Sequence, residues 1–110
     1  MKVTITSIEL KNPFKFFVLS TISLKIVKQL KLTNCRKLKN TGFWTKHYTM
    51  TLWNNLEDMK AFANSGAHLN AMKRSKEISK EIRTITIDAT ELPKWNEAKQ
   101  LLNNGKVIRF

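Results

Sequence analysis

Two histidines are the side chains of this sequence best suited to acid–base or ligand chemistry. His68 stands two residues after Gly66, at the predicted start of a helix, where a glycine lets the backbone come close to a ligand. Because an imidazole exchanges a proton near neutral pH, His68 is a candidate catalytic base, or else a residue that hydrogen-bonds a carbonyl and orders the helix junction. His47 lies on a predicted strand. No cluster of carboxylates accompanies the two histidines, so we predict no metal site.

Other catalytic signatures are missing from the sequence. The single cysteine, Cys35, excludes an internal disulfide, and with no catalytic partner close in sequence it is interpreted as a plain strand residue. There is no Ser-His-Asp order, Gly-rich phosphate loop or pair of carboxylates at catalytic spacing. A cofactor-free oxygenase needs none of these, since a dry apolar pocket and one base can form a substrate carbanion. We therefore predict no bound cofactor.

The composition is that of one small basic domain, residues 1–110, with 42% hydrophobic residues. The longest apolar stretch, residues 16–24, is too short to cross a bilayer, which takes about 20 residues, and no signal-peptide cleavage site follows it. We expect a cytoplasmic protein. Residues 1–50 hold ten Lys or Arg and one acid, Glu9, a net of +9 within the formal +12, which favours anionic partners in general.

The hydrophobic pattern predicts the order β-α-β-β-α-β with a split second helix. Asn12 and Pro13 are suited to the cap and first position of the first helix, Asn40-Thr41-Gly42 to a hairpin connection, and Asn54 with Glu57 to a capping box. A phase change at Ser7-Ile8 indicates a bulge or the end of the first strand. The predicted strands are 3–10, 35–39, 43–53 and 81–89, and the predicted helices are 14–32, 54–64, 65–80 and a short one from Trp95 to Leu102.

This order is typical of the ferredoxin-like α+β fold, an antiparallel four-stranded sheet with its helices on one face. The core is expected within about residues 1–92, with a C-terminal helix and tail at about 93–110. If Tyr48, Met50 and Leu52 face the helices, the alternation of a strand places the next set on a bare face: His47, Thr49, Thr51 and Trp53. A bare face with aromatic side chains needs a partner, which predicts a homodimer.

The stretch from Phe43 to Met72, FWTKHYTMTLWNNLEDMKAFANSGAHLNAM, resembles uncharacterised bacterial proteins of the dimeric α/β-barrel superfamily. That superfamily includes the antibiotic-biosynthesis monooxygenases, and the stretch is most similar to the spheroidene-monooxygenase-like members. The similarity rests on a strand that ends in Trp, a short helix with an apolar residue and a Phe, and a following Ser-Gly-Ala-His with a Met downstream: Trp53, Met59, Phe62, Ser65 to His68 and Met72.

The resemblance implies a homodimer in which two sheets pack face to face, with a ligand pocket between sheet and helices in each subunit. The expected pocket residues are Trp53, His47, Thr49, Thr51, His68 and Met72, with His68 as the candidate catalytic residue. Haem-degrading relatives use an Asn on the first strand, a Trp and an axial His. Trp53 and His68 match in kind, but the first strand offers Thr4, Thr6 and Ser7, so haem is not the expected cofactor.

Three functions remain open on the sequence. The first is an oxygenase-like enzyme or a binder of a small apolar or anionic ligand, working as a dimer. The second is a non-catalytic dimeric module whose tryptophans, Trp44 and Trp53, only anchor the core or the interface. The third is a basic nucleic-acid-binding protein. Because the basic residues are not interleaved with stacking aromatics, we predict that such binding is weak and non-specific.

Overall fold

The strands form one antiparallel sheet because alternating β-branched residues run through the first strand and its two partners. The structure, a computed structural model, describes residues 1–30, 33–64 and 66–110, with the side chains of 66–70 excepted. The sheet order is β2-β3-β1-β4-β5, which confirms the predicted ferredoxin-like α+β fold with a fifth strand added. The strands are β1 (Lys2–Leu10), β2 (Cys35–Phe43), β3 (Lys46–Trp53), β4 (Ser79–Asp88) and β5 (Lys106–Arg109); the helices are α1 (Phe16–Leu30), α2 (Leu56–Ala63), α3 (Gly66–Ile78) and α4 (Trp95–Leu101).

The central strand, β1, carries the core of the sheet. Ile5 of β1 lies between Met50 of β3 and Ile85 of β4, and Ile5 and Met50 are both fully buried. The irregularity expected at Ser7-Ile8 lies slightly later, since the register with β4 shifts between Glu9 and Leu10. Strand β1 therefore stays regular through the positions that matter for the two sheet faces.

The first helix begins as the sequence predicts. The Asn12 side chain accepts a hydrogen bond of 3.2 Å from the Lys15 backbone N–H, and Pro13 opens a 3₁₀ turn, Pro13–Lys15, that leads into α1. Helix α1 ends at Leu30; the predicted continuation to residue 32 falls outside the described residues. Leu19, Ile22 and Leu30 are buried and form the inner face of this helix.

The predicted hairpin connection at Asn40-Thr41-Gly42 is wrong. Strand β2 continues through Gly42, and the chain turns at residues 44–45, where Trp44 adopts a φ of 58°. Gly42 has a packing role instead, because it is paired with His47 on β3 and a Cβ there would lie 2.1 Å from the His47 Nδ1 atom. The glycine marks a close approach of two strands rather than a turn.

The assignment of the two sheet faces is also wrong. The face of Thr51 and Trp53 lies under α1 and α2, where Trp53 packs with Leu30 and Phe62. The face of Met50 and Leu52 packs instead against the C-terminal helix. That helix was expected to be an appendix, but α4 and the 3₁₀ turn after it contribute buried residues to the largest apolar cluster: Val3, Ile5, Met50, Leu52, Ala98 and Leu102. Neither face is bare, so the argument for a homodimer from a bare face fails.

Several element ends differ by a few residues from those predicted. The cap of α2 is Asn55, whose side chain accepts from the Asp58 backbone N–H at 2.8 Å, rather than Asn54 with Glu57. Helix α3 ends at Ile78, and β4 begins at Ser79. The predicted cap of α3, Ser65, falls outside the described residues. Gly105 follows the last helical turn as predicted.

The tail beyond Gly105 forms a strand that the sequence did not indicate. Strand β5 pairs antiparallel with β4, with Val107 opposite Arg83. Within the described residues, none of the helices combines the length and the apolar character that a membrane crossing requires.

Candidate functional site

The sheet face beneath α1, α2 and α3 carries two rows of threonines. Thr4 on β1 is paired with Thr51 on β3 and Thr86 on β4, and Thr6 is paired in the same way with Thr49 and Thr84. Because side chains on a strand alternate, all six point to the same side of the sheet. We call this surface the threonine face: Thr4, Thr6, Thr49, Thr51, Thr84 and Thr86. Five of the six are half-buried and Thr86 is exposed.

The hydroxyls of the threonine face contact one another across the strands. The Thr4 and Thr86 hydroxyls lie 3.1 Å apart, and those of Thr6 and Thr84 lie 3.4 Å apart. The thioether sulfur of Met59, on α2, contacts the hydroxyls of Thr4 and Thr86. Met59 therefore covers part of the threonine face, and the polar groups beneath it can exchange their mutual hydrogen bonds for bonds to a ligand.

Trp53 closes one end of the threonine face. Its side chain is 1% exposed, and its ring centroid lies 5.4 Å from that of Phe62 on α2. The indole N–H donates a hydrogen bond of 2.9 Å to the Thr51 hydroxyl. Trp53 is thus a wall of the core that orients Thr51.

His47 lies toward the other end of β3, on the same side of the sheet. Its ring is stacked on Phe16, with centroids 5.3 Å apart and planes 24° from parallel. The His47 Nε2 atom is 3.1 Å from the Trp44 carbonyl oxygen. A carbonyl oxygen only accepts, so the Nε2–H donates this bond, and in the neutral ring Nδ1 is left as the acceptor above Gly42.

Helix α3 supplies the remaining predicted pocket residues. The backbone of His68 belongs to the first turns of α3, but its side chain falls outside the described residues. Met72 is 55% exposed, whereas Ala71 packs against a cluster formed by α1, α3 and the end of β1. The structure therefore brings the helix of His68 to the threonine side of the sheet, and the proposed role of His68 stays a prediction.

Cys35, at the start of β2, has the surroundings of a structural residue. It packs against the cluster of Leu30, Trp53 and Phe62, and its thiol donates to the Lys37 carbonyl at 3.3 Å. Burial raises the pKa of the Cys35 thiol above its usual value. A raised pKa disfavours the nucleophilic thiolate.

A polar cleft of about 260 Å³ lies on the opposite face of the sheet, beside the C-terminal helix. In it Glu81 is hydrogen-bonded to the Arg83 guanidinium and lies 3.4 Å from Arg109, and the hydrogen bond to Arg83 lowers the pKa of Glu81. The Lys99 ammonium lies 4.8 Å from the Tyr48 ring centroid. Sequence reasoning missed this cleft because β5, which brings Arg109 to β4, was not expected. Of the charged residues that line the cleft, Glu81 and Arg83 are paired with each other.

The described side chains include neither a cluster of metal ligands nor the first-strand Asn of the haem-degrading pattern. Among them, no three His, Cys, Asp or Glu side chains lie close enough together to hold a metal ion. Trp53 is packed in the core, and β1 presents Thr4 and Thr6 on this face where the haem-degrading pattern has an Asn. The threonine face is suited to a ligand held by hydroxyl groups and apolar contacts.

Comparison with solved structures finds the same fold in oxygenase-like proteins. A crystal structure of an antibiotic biosynthesis monooxygenase superposes with a TM-score of 0.72 at 9% identity and covers 83% of this chain and 100% of its own. A candidate antibiotic biosynthesis monooxygenase from Deinococcus radiodurans gives 0.73 at 12% identity, with 86% and 97% covered. The protein Rv0793 from Mycobacterium tuberculosis gives 0.72 at 9% identity, with 86% and 100% covered. These identities show a shared fold and nothing more specific.

Sequence comparison assigns the family. No curated protein sequence matches this chain. One family model, described as a domain of unknown function (DUF3291), matches residues 25–106, which is most of the chain and includes β2, β3, β4 and the helices α2 and α3. The chain belongs to the DUF3291 family, on a fold that is shared with antibiotic biosynthesis monooxygenases.

Proposed function

We propose that this protein binds a small, mostly apolar ligand with one or two oxygen atoms, between the threonine face and helices α2 and α3, as an oxygenase-like enzyme. One observation carries the proposal: five of the six threonines beneath the helices are only half-buried. On the other face of the same strands, Val3, Ile5 and Met50 are completely buried. Polar side chains that stay partly accessible beneath helices can orient a ligand at such a surface.

The chemistry of the threonine face supports a particular ligand class. Thr6 and Thr84 each carry a hydroxyl that both donates and accepts, so they can hold a phenol, a quinol or a carbonyl oxygen. Met59 adapts its shape to an apolar ring because a thioether is flexible and polarisable. A quinol-like molecule combines these features, with a flat apolar body and oxygens at its ends.

His68 is the proposed base for such a ligand. Helix α3 starts at Gly66, two residues before His68, and packs against α1 and β4. A neutral imidazole beside the ligand can remove a proton from a quinol O–H group and become imidazolium. The quinolate that results shares its negative charge with a ring carbon, and this carbanion character allows it to react with dioxygen in cofactor-free oxygenation. The same residue would act as a hydrogen-bond donor in a protein that only binds the ligand.

The other partners stay predictions of the resemblance and the composition. The argument for a homodimer from a bare sheet face no longer holds, since Trp53 is buried beneath helices of its own chain. Nucleic-acid binding rests on the formal charge of +12 alone, so its affinity should collapse as salt rises. Neither alternative accounts for the half-buried threonine face.

The test is a titration with a naphthoquinol. Binding is measured by the quenching of tryptophan fluorescence, and turnover is measured by oxygen uptake. Replacing Thr6 with valine keeps the shape of the side chain and removes the hydroxyl, so the dissociation constant should rise about tenfold, or about 1.4 kcal/mol. The matched control is Thr41→Val, because Thr41 is an exposed threonine on β2 whose partner, Tyr48, belongs to the opposite face. Equal affinity of both variants and the wild type would contradict the site.

A second arm of the experiment concerns His68. In a functional role, His68→Ala leaves the free energy of unfolding nearly unchanged and lowers quinol affinity or oxygen uptake at least about tenfold. In a purely structural role, the substitution costs about 1 kcal/mol of stability and leaves binding intact. A haem titration completes the test: we expect no Soret band, and a band that His68→Ala removes would replace the quinol with haem as the ligand.

A further inference from the structure

Exposed aromatic residues cluster at one corner of the molecule. Phe14 and Phe17, at the start of the first helical segment, are 78% and 71% exposed. Phe43 and Trp44, at the β2–β3 turn, are 85% and 67% exposed. Several large exposed apolar side chains close together are typical of an interaction surface. The part of it on the α1 side of the sheet is called the aromatic corner: Phe14, Phe17, Leu24 and Trp44. Phe43 is not included, because the register of β2 with β3 places it with Tyr48 on the opposite face.

Contacts show that the helix start and the turn form one surface. The Phe16 ring stacks on His47 at 5.3 Å and lies edge-on to Phe17 at 6.3 Å. His47 is in turn bonded to the Trp44 carbonyl. The carbonyl of the next residue, Thr45, accepts a hydrogen bond of 2.8 Å from the Leu10 N–H, at the end of β1.

Helix α1 is apolar on two sides, which an ordinary surface helix is not. Its inner side is formed by Leu19, Ile22 and Leu30. Phe17 and Leu24 stand seven residues apart, on the outer side, and Leu24 is 64% exposed. The burial of the inner side therefore leaves an apolar stripe in solvent that the described part of the fold does not use.

Basic residues surround the aromatic corner. Lys11, Lys25 and Lys28 flank the outer side of α1, and all three are exposed. Glu9 is the single acid in residues 1–50. The corner thus combines protruding apolar side chains with a strong positive charge.

We propose that the aromatic corner docks the protein on an anionic lipid surface. Phe and Leu side chains on one side of a helix, with lysines at its flanks, are the composition of segments that lie in the membrane interface. Trp44 is suited to the same depth, because an indole prefers the headgroup region. Each lysine near an anionic bilayer adds about 1 kcal/mol of attraction at physiological salt.

The charge argues against a second copy of this chain as the occupant. In a two-fold dimer the same surface meets itself, so two aromatic corners would bring Lys25 and Lys28 of both copies together. Nucleic acid fits the charge but not the shape, because bases stack in a groove or on a flat platform, whereas Trp44 protrudes from a tight turn. An anionic bilayer accepts both the charge and the protruding apolar groups.

The test is co-sedimentation with vesicles of phosphatidylcholine, with and without phosphatidylglycerol, together with tryptophan fluorescence. We expect binding only to the anionic vesicles, a blue shift of the emission, and quenching by brominated lipid. The double variant Trp44→Asn with Phe17→Ser should lose at least about tenfold in partitioning, since both side chains insert in the proposed mode. Asparagine suits the left-handed backbone at residue 44, so the variant keeps the turn.

Matched controls come from the opposite end of the sheet. Leu56, 36% exposed at the start of α2, is replaced by serine, and Lys60 on the same helix is replaced by glutamate. Leu56→Ser and Lys60→Glu should partition like the wild type, whereas Lys25→Glu should weaken partitioning and its salt dependence. The proposal would be overturned if the protein did not bind vesicles, or if Leu56→Ser lost as much binding as the double variant. It would also be overturned by a dimer that Trp44→Asn dissociates, or by tight nucleic-acid binding without vesicle binding.

Discussion

The two faces of the sheet are built from the same three strands but differ in what covers them. On the side of α4, alternate residues such as Val3, Ile5 and Leu52 are at most 3% exposed and pack against Ala98 and Leu102. On the side of α1, α2 and α3, six of the residues between them are threonines, of which five are half-buried and Thr86 is exposed. The α4 side is buried at the centre of the sheet, whereas the threonine face stays partly accessible beneath its helices.

This difference separates stability from binding within one sheet. Burying an isoleucine side chain contributes about 1.5–3 kcal/mol, while a threonine offers a single methyl group and a hydroxyl that needs a partner. Threonine nevertheless keeps the strands regular, because its branched side chain suits the pleated backbone. The threonines can therefore serve a ligand without weakening the sheet, because separate apolar clusters hold its two faces.

The largest effect on stability is expected when neighbouring residues on the two faces are replaced by alanine. Ile5→Ala should lower the free energy of unfolding by about 2–5 kcal/mol, because the side chain is completely buried between Met50 and Ile85. Thr6→Ala, one residue further on the other face, should cost less than about 1 kcal/mol. Urea unfolding followed by circular dichroism measures both. Similar losses for the two variants would show that the threonine face is packed as tightly as the core.

A smaller effect is expected where the threonine face ends at the β2–β3 turn. Gly42→Ala places a methyl group 2.1 Å from the His47 Nδ1 atom and should displace the imidazole from Phe16, at a cost of about 1–3 kcal/mol. In a His47→Ala background the same substitution should be nearly neutral, since the obstructing ring is gone. A full double-mutant cycle by urea unfolding measures the coupling. A cost that persists without His47 would instead assign Gly42 a backbone role.

The order of the elements was predictable because each leaves a local signal. The alternation of β1, the Asn12-Pro13 start of α1 and the apolar spacing of α4 depend on residues close in sequence, and the structure confirms them. The phase of the strands has no such signal. Both faces of β3 carry large apolar residues, so the alternation alone does not tell which face the helices α1 and α2 cover. Trp53 lies under those helices, and Met50 packs against α4.

Only part of the candidate site could be predicted from the sequence. The family resemblance implied a pocket that includes Thr49 and Thr51, but the strand alternation was taken to place both on a bare face. The structure shows that helices cover that face, and the pocket itself stays a prediction. Thr4 and Thr6 complete the threonine face, but only the strand register brings them beside β3. The turn at Trp44 was missed because Gly42 is a stronger turn signal in sequence than tryptophan, whose left-handed conformation is uncommon.

The smallest predicted effect concerns pH and distinguishes the two faces again. The threonine face holds hydroxyls, whereas the α4 side ends in Glu81, whose pKa is lowered by its hydrogen bond to Arg83 and by the nearby Arg109. At the end of the sheet, the hydrogen bond to Lys2 lowers the pKa of Asp88. A carboxyl whose pKa is lower in the folded state adds stability above its unfolded pKa, and this stability is lost as the pH falls through the folded pKa.

We therefore expect the urea midpoint to be steady near neutral pH and to fall as the pH drops below about 4.5. Glu81→Gln should have a lower midpoint than the wild type at pH 7, because the charge that Arg83 and Arg109 share is removed. Below the folded pKa the two proteins should converge, since Glu81 is then neutral in both. Thr84→Val, on the same strand as Glu81 but on the threonine face, serves as the control and should shift the midpoint equally at every pH. A difference between wild type and Glu81→Gln that persists in acid would assign the role of Glu81 to packing in the cleft instead of to its charge.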